Sequence, residues 1–352
     1  MTQKTCRLAI ISILFSFSYI VAAQITIPPL PTPASNNAVA SLRAGKHEQL
    51  YSFMGIGPKK TWDAITNDAY AFDLGSKKWT KLHPVPGPAG RVGASAISAR
   101  GEVLLLGGYT VDGRGDELMV RDISVYTPVN KKWLRGTDLP IPVADAVVAV
   151  YEDRYLYVIG GRSGRDPIPN VQVYDIAKDH WEQATPLPGP PVFGHAGALY
   201  ENTIVYVDGA KTNPAGNPRY IASDECWVGK IDHKNVKVIH WTSVVGHPGG
   251  GRFRIGSGVS EKDRRIYFSG GTDNPYDFNG VGYDGQPAEP VSTTFDFNVK
   301  DSEWEMVTEG TPNPTMDHRG LLEIHDGLVV IGGMEKGQKV TDKVEVVPRK
   351  EK

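Results

Sequence analysis

Six times along this chain an apolar run of β-forming residues ends in glycine. That recurrence limits the available folds more than any other feature. Four copies are complete: VLLLGG closing at Gly108, LYVIGG at Gly161, IYFSGG at Gly271 and LVVIGG at Gly333. Two are degenerate, LYSFMGIG around Gly55 to Gly57 and IVYVDG at Gly209. A second beat follows roughly 20 to 35 residues after the glycines, where an aromatic in a β-run precedes a Trp. It reads AYAFDLGSKKW at Trp79, SVYTPVNKKW at Trp133 and QVYDIAKDHW at Trp181, then drifts to VKVIHW at Trp241 and TFDFNVKDSEW at Trp304. The polar residues between aromatic and Trp are turn formers, so each beat predicts a hairpin. Proline-rich stops such as LHPVPG, TDLPIP and TPLPGP end the units. A unit of this size cannot bury both faces of its own sheet, so the units must stack on one another, with Trp filling the space between neighbours.

The Gly-Gly pair, the aromatic and the spaced Trp together resemble kelch repeats over almost the whole chain after residue 23. The resemblance implies an all-β fold, a six-bladed kelch-type β-propeller with four strands per blade around a central channel. Six glycine beats but five Trp beats leave the last unit, which ends at DKVEVVPR, without an outer strand. The segment Gln24 to Pro31, QITIPPLP, carries the alternation and the trailing prolines of that missing strand. Its insertion there would close the ring and remove a free sheet edge. Residues 24–352 are therefore expected to form one domain.

Residues 1–23 read as an export signal. Lys4 and Arg7 precede an uncharged apolar run from Leu8 to Ala23, with small residues Val21-Ala22-Ala23 before Gln24. The expected location is periplasmic or extracellular. Cys6 would leave with that signal, so Cys226 is the one thiol expected in the processed chain, which excludes a disulfide-stapled scaffold. A formal net charge of −2 lacks the basic footprint that nucleic-acid binding requires. The sequence shows no HExxH, paired CxxC or phosphate-cradling glycine loop. Asp277-Phe278-Asn279-Gly280 lacks the acidic spacing and terminal Glu of a calcium loop. Neither a metal nor another cofactor is expected.

Propeller function resides in loops at a channel mouth. Aligning backward from the glycine pairs places Asn36, Asn37, Arg91, Asp145, Phe193, His195, Arg252, Arg254, Asp317, His318 and Arg319 just before or at the innermost strands. They are expected to converge near the pore. Such groups either pair around a wet channel or recognise a small, polar, anionic or hydroxyl-rich ligand, for which arginine forks are suited. Lys211 and Arg219 lie in an insertion of the fourth unit. Tyr276 and Tyr283 lie in another, Thr272 to Pro290, expected to overhang the mouth beside it.

The fourth-unit loop, with Gly209-Ala210-Lys211 followed by Pro, Gly and Arg, is similar to that of exported bacterial sialic acid mutarotases (N-acetylneuraminate epimerases). That resemblance implies exchange of sugar-acid anomers without a cofactor, with Arg219 in the role of the group's functional Arg. The Glu paired with it in that group has no counterpart, because Gly209 runs directly into Ala210 and Lys211. His195 and His318 are the candidates for proton transfer near neutral pH. Arg91, Asp145, Arg252, Arg254, Arg319, Lys211, Tyr276 and Tyr283 are the candidates for ligand contact. The expected partner is thus a sugar or sugar acid. A different class of function, a non-catalytic propeller that binds a glycan or a protein in the cell envelope, fits the same residues. Galactose oxidase shares the kelch propeller, but its Tyr and His copper ligands and Tyr–Cys cross-link have no match here, so copper chemistry is not expected.

Overall fold

The computed structural model describes residues 26–349 apart from 45, 46, 88, 89, 312, 326 and 348. The expected export signal therefore lies outside the described residues. Each glycine beat closes the second strand of an antiparallel sheet, and six such sheets follow one another along the chain. Their innermost strands are Ala38–Ala44, Val92–Ala99, Val147–Tyr151, Ala196–Tyr200, Gly256–Ser260 and Leu322–Ile324. Blades one to five each run outward through four consecutive strands, and blade two adds a short strand, Glu117–Met119. Alternation sets the register in blade three, where Val147 faces Ile159 and Tyr151 faces Tyr155. The second strands, such as Thr203–Val207 and Gly327–Ile331, are buried on both faces between neighbouring blades, so they read as nearly continuous apolar runs. Among the described residues no helix is long and apolar enough to cross a membrane.

The second beat has a direct structural cause. The aromatic and the Trp are cross-strand partners: Phe72 faces Trp79, Tyr126 faces Trp133, Tyr174 faces Trp181 and Phe297 faces Trp304. Their ring centroids are 4.6 to 5.2 Å apart, within the range where aromatic pairs attract. Blade four drifts because Gly229 faces Trp241 there. A Cβ on that glycine would lie 2.4 Å from the indole. Trp241 packs instead on Tyr206, 5.5 Å away.

The same indoles join the blades. Each Nε1–H donates to a carbonyl in the segment that follows the outer strand of the preceding blade. Trp133 reaches His83 at 3.0 Å, Trp181 reaches Thr137 at 3.1 Å, Trp241 reaches Thr185 at 3.4 Å and Trp304 reaches Val245 at 2.7 Å. Trp79 donates to Pro28 at 2.8 Å, so Pro28 holds this place for blade six. Ile27 and Leu30 are buried with Leu50, Leu322, Ile324 and Ile331, and the Leu30 N–H donates to the Asp342 carbonyl at 2.7 Å. The N-terminal segment thus closes the ring by packing and by these two bonds. The expected strand differs in detail: blade six has three strands among the described residues, Leu322–Ile324, Gly327–Ile331 and Val344–Val347, and residues 26–30 lie outside any ladder.

A third repeat is invisible as a motif. Just before each innermost strand one residue adopts a left-handed backbone: Asn36, Gly93, Asp145, Gly194, Arg254 and Asp317, with φ between 51° and 74°. Their main chains link blade to blade. Asp145 N–H donates to Gly93, Gly194 to Asp145 and Arg254 to Gly194, each at 2.8 Å. The second glycine of each pair packs beneath this turn, and a Cβ on Gly161 would sit 2.7 Å from the Ala144 carbonyl.

Closure by the N-terminal segment predicts that Leu30→Ala lowers the unfolding free energy by about 2–5 kcal/mol, as for other fully buried leucines. Val129→Ala, at a side chain 88% exposed, should change it by less than about 0.5 kcal/mol. Urea unfolding of the two variants measures the difference.

Candidate functional site

Four of the six ring positions carry polar side chains, and these meet on the channel axis. The Arg254 guanidinium spans Asp145 at 3.2 Å and Asp317 at 3.1 Å, and all three side chains are at most 1% exposed. Arg319 bonds Asp145 at 2.5 Å and the Asn36 amide oxygen at 2.7 Å. Asp317 also accepts from Ser35 at 2.6 Å and Asn36 at 2.8 Å. Burial alone would raise the Asp145 carboxyl, but Arg254, Arg319 and Arg162 outweigh it and hold the group well below the usual carboxylate range. Two carboxylates and two guanidiniums therefore form a charge-balanced plug across the channel.

Above the plug lie the loops that follow the glycine pairs. The insertion from Thr272 to Pro290 crosses the mouth, as the sequence suggested. Tyr276 is fully buried and its ring lies 5.0 Å from the Arg254 guanidinium. Tyr283 packs edge-on against Tyr220 of the fourth-blade loop, with centroids 4.7 Å apart. Phe278 reaches the opposite side, joining Ile56, Val92, Tyr109 and Val111 of blades one and two. Gly280 lies against Gln338 of blade six, whose amide donates to the Ala288 carbonyl at 2.9 Å. One loop thus touches four blades besides its own.

Beside this lid a pocket of about 260 Å³ opens, lined by Glu117, Arg162, Arg165, Arg219, Tyr220, Asp277, Phe278 and Tyr283. Arg162 is committed: it grips Glu117 with two bonds, at 2.7 and 3.0 Å, and stacks 4.3 Å above the Tyr109 ring. Arg219 pairs with Asp166 at 3.2 Å, but both side chains are exposed, 48% and 81%. Such a pair contributes little and is easily exchanged for a ligand anion. The Arg165 side chain is exposed and has no ion-pair partner among the described residues. Its carbonyl accepts the Tyr220 hydroxyl, which anchors the strand pair Ala210–Thr212 and Tyr220–Ala222 to blade three. Asp277 accepts the Phe278 N–H at 2.7 Å through one carboxylate oxygen. The pocket therefore offers one free guanidinium, one exchangeable guanidinium, two tyrosine rings and a carboxylate.

The residues singled out from sequence divide among six places. Arg219 and Tyr283 line the mouth pocket; Asp145, Arg254 and Arg319 form the plug; Tyr276 is sealed beneath the lid; Lys211 lies on the mouth loop outside the pocket lining. His195 and His318 lie on the far side of the plug, where they line a channel cavity of about 310 Å³. Burial lowers both imidazoles to about 4, so they are neutral at neutral pH. The expected union of these histidines with Arg219 in one catalytic site is therefore not formed. Arg91 and Arg252 also leave the axis. Each stands two residues before a ring position and turns back into its own blade, Arg91 to Gly107 and Ser124 at 3.2 and 3.4 Å, Arg252 to Thr293 at 3.3 Å. Sequence reasoning passes over Arg162, Arg165 and Glu117, and meets Asp277 only in the run compared with a calcium loop. Arg162 had a signal: it follows its glycine pair directly, where other blades place Tyr109, Ala210, Thr272 and Met334.

Blade four holds one further polar cluster, where Asp208 replaces the first glycine of the pair. His247 Nε2 lies 2.9 Å from both Asp208 oxygens, with Cys226 adjacent. The Gly249 N–H donates to His247 Nδ1 at 3.0 Å, which places the ring proton on Nε2 facing Asp208. The lone pair a metal would need is thereby occupied, and burial pushes the Cys226 thiol up to about 12.

Six sheets around a plugged channel define a six-bladed β-propeller. The match to the family described as the KLHDC2/KLHL20/DRC7 Kelch-repeats domain covers residues 22–209, and the chain belongs to that Kelch-repeat family. Similar proteins include human Kelch-like protein 34, 28% identical over 43% of this chain and 24% of its own length. Chicken Kelch-like protein 15 is 28% identical over 38% of this chain and 26% of its own. Alpha-scruin of Limulus polyphemus is 28% identical over 42% of this chain and 17% of its own. The chain thus spans about a quarter or less of these relatives. Among solved structures, that of YjhT superposes with a TM-score of 0.73 at 17% identity, covering 92% of this chain and 97% of the other, which shows a shared fold.

Two outcomes follow from the buried charges. Arg254→Ala strands Asp145 and Asp317 without their shared cation and should cost about 3–5 kcal/mol in urea unfolding, whereas Arg219→Ala should cost less than about 1 kcal/mol. The histidines set a pH dependence. Their folded values lie below the unfolded 6.5, so the unfolded chain binds more protons between about 4 and 6.5, and stability falls as pH drops through that window. Asp208, raised by burial to about 6, acts in the opposite sense between about 4 and 6. His195→Gln should therefore flatten the loss of stability between pH 6.5 and 4, measured by urea midpoints at half-unit steps.

Proposed function

We propose that this propeller binds a sugar acid of monosaccharide size in its mouth pocket. The reading is carried by one observation: an unpaired Arg165 and an exchangeable Arg219 share a 260 Å³ pocket with the rings of Tyr220 and Tyr283. Guanidiniums recognise a carboxylate through paired N–H donors, and tyrosine rings cover the apolar face of a pyranose while tolerating its hydroxyls. Asp277, across the lining, accepts a hydroxyl or N–H proton of the same ligand. Binding is favoured over anomer exchange, because His195 and His318 lie beyond the plug and Glu117 is committed to Arg162. Asp277 remains as a carboxylate in the pocket, whereas burial pushes the Tyr283 hydroxyl well above its ordinary value and out of reach of proton exchange near neutral pH.

A second reading has its own observation. Trp62, Leu118 and Val281 are 50%, 70% and 44% exposed in the segments that follow the glycine pairs, and exposed apolar groups around a pocket favour docking of a protein partner.

Ligand-observed NMR with N-acetylneuraminate, D-glucuronate and D-glucose separates these readings. The acids should bind, and Arg165→Ala should weaken them about 10- to 100-fold, the range for losing a charge-assisted hydrogen bond, with glucose unaffected by the substitution. Failure of both acids to bind at millimolar concentration overturns the sugar-acid reading. Anomer exchange followed in the same samples decides whether binding is accompanied by catalysis.

A further inference from the structure

We propose that the channel below the plug is a second, separate binding site, for a neutral hydroxyl-rich molecule no larger than a monosaccharide. The cavity there measures about 310 Å³ and shares no lining residue with the mouth pocket. The plug of Asp145, Arg254, Asp317 and Arg319 stands between the two.

Its walls have a defined chemistry. The innermost strands are each paired on one side only, so their free edges present main-chain N–H and C=O groups to the channel. Part of this capacity is used between blades, as where Ser98 donates to the Ser41 carbonyl at 2.6 Å and Ser257 to the Gly197 carbonyl at 2.9 Å. The remaining edge groups alternate donor and acceptor, the pattern that a polyol satisfies and an apolar molecule does not. The side chains of the lining are mixed, with Ser41, Ser95 and Ser98 beside Ile97, Val150 and Leu199.

At the head of the cavity His195 is 6% exposed, and neither ring nitrogen has a hydrogen-bond partner. The Ile159 main chain lies nearby, yet the geometry closes no hydrogen bond. A buried neutral imidazole offers one donor and one acceptor, and leaving both unmade is costly. A hydroxyl group supplies both complements at once. The charge of the ligand follows from the plug. Asp145 and Arg319 are ion-paired at 2.5 Å, and the plug as a whole carries equal numbers of carboxylates and guanidiniums. Nothing in the cavity therefore favours an anion or a cation over a neutral molecule. This site does not depend on what the mouth binds.

The test uses the full chain with 15N-labelled histidine. D-Glucose, myo-inositol and glycerol are titrated while the His195 imidazole resonances are followed. Saturable movement of those resonances with at least one of the three, retained in Arg165→Ala, is the expected result. His195→Phe keeps a ring against Tyr206 and removes both nitrogens; it should weaken the same ligand at least tenfold by saturation-transfer difference. If that variant does not fold, the wild-type and Arg165→Ala titrations decide alone. Resonances unmoved by all three compounds up to about 50 mM overturn the proposal. Movement that vanishes in Arg165→Ala also overturns it, because the signal would then come from the mouth.

Discussion

The architecture depends on a series of main-chain hydrogen bonds that joins blades two to five around the channel throat. Each blade enters its innermost strand through one left-handed residue, and in blades three to five the N–H of that residue is given to the corresponding carbonyl of an earlier blade. Because the main chain makes these links, the side chains at those positions are free to differ, whereas between blades one and two the Asn36 amide oxygen accepts the Gly93 N–H. Blades two and four use glycine, for which this backbone costs nothing. Blades one, three and six use Asn or Asp, which tolerate it. Arg254 is the exception, since a long side chain held at φ 51° carries strain of order 1–3 kcal/mol. Its two buried carboxylate partners offset that strain, and in return Arg254 places a guanidinium on the axis.

The plug changes how the two ends of the channel should be understood. A set of balanced charges, fully desolvated, projects little net field in either direction. The electrostatics of the mouth are therefore those of Arg165, Arg219 and Asp277 themselves, and the cavity beneath is governed by strand edges and imidazoles. One continuous polar pore would let solvent and ions equilibrate these environments. Here the same six-fold scaffold supports two separate chemistries a short distance apart.

Much of this was legible in the sequence, for reasons that also explain what was not. Phe72 with Trp79 and Tyr174 with Trp181 occupy fixed cross-strand places, so their spacing survives as a repeat and yields the blade count. Asp145, Arg254 and Asp317 are found by counting back from glycine pairs, because in blades two to six the ring lies 15 to 17 residues before the second glycine. The same counting placed Arg91 and Arg252 at the pore, but offset along a chain does not determine which way a side chain turns, and two residues earlier it turns into its own blade. His195 and His318 were located correctly around the axis yet on the wrong side of a plug that sequence could not reveal. Arg165, Glu117 and Asp277 lie in loops of unequal length, where no repeat exists to align them.

The lid from Thr272 to Pro290 is the part of the mouth with the least repeat character, and it is built as firmly as a blade. Tyr276 is fully buried, Phe278 is fixed in a cluster across the channel, and Gln338 and Glu289 hold the Gly280 side through bonds near 2.9 Å. A loop that ordered only on binding would subtract its conformational entropy from the affinity, about 1–2 kcal/mol for each residue fixed. With that ordering already complete, a ligand entering beside Tyr283 meets a pocket whose shape exists before it arrives. On the proposed sugar-acid reading, selectivity would arise from fit and from Arg165 and Asp277 lining one pocket, so lengthening or shortening this loop would change which molecules are accepted while the blades beneath stay as they are.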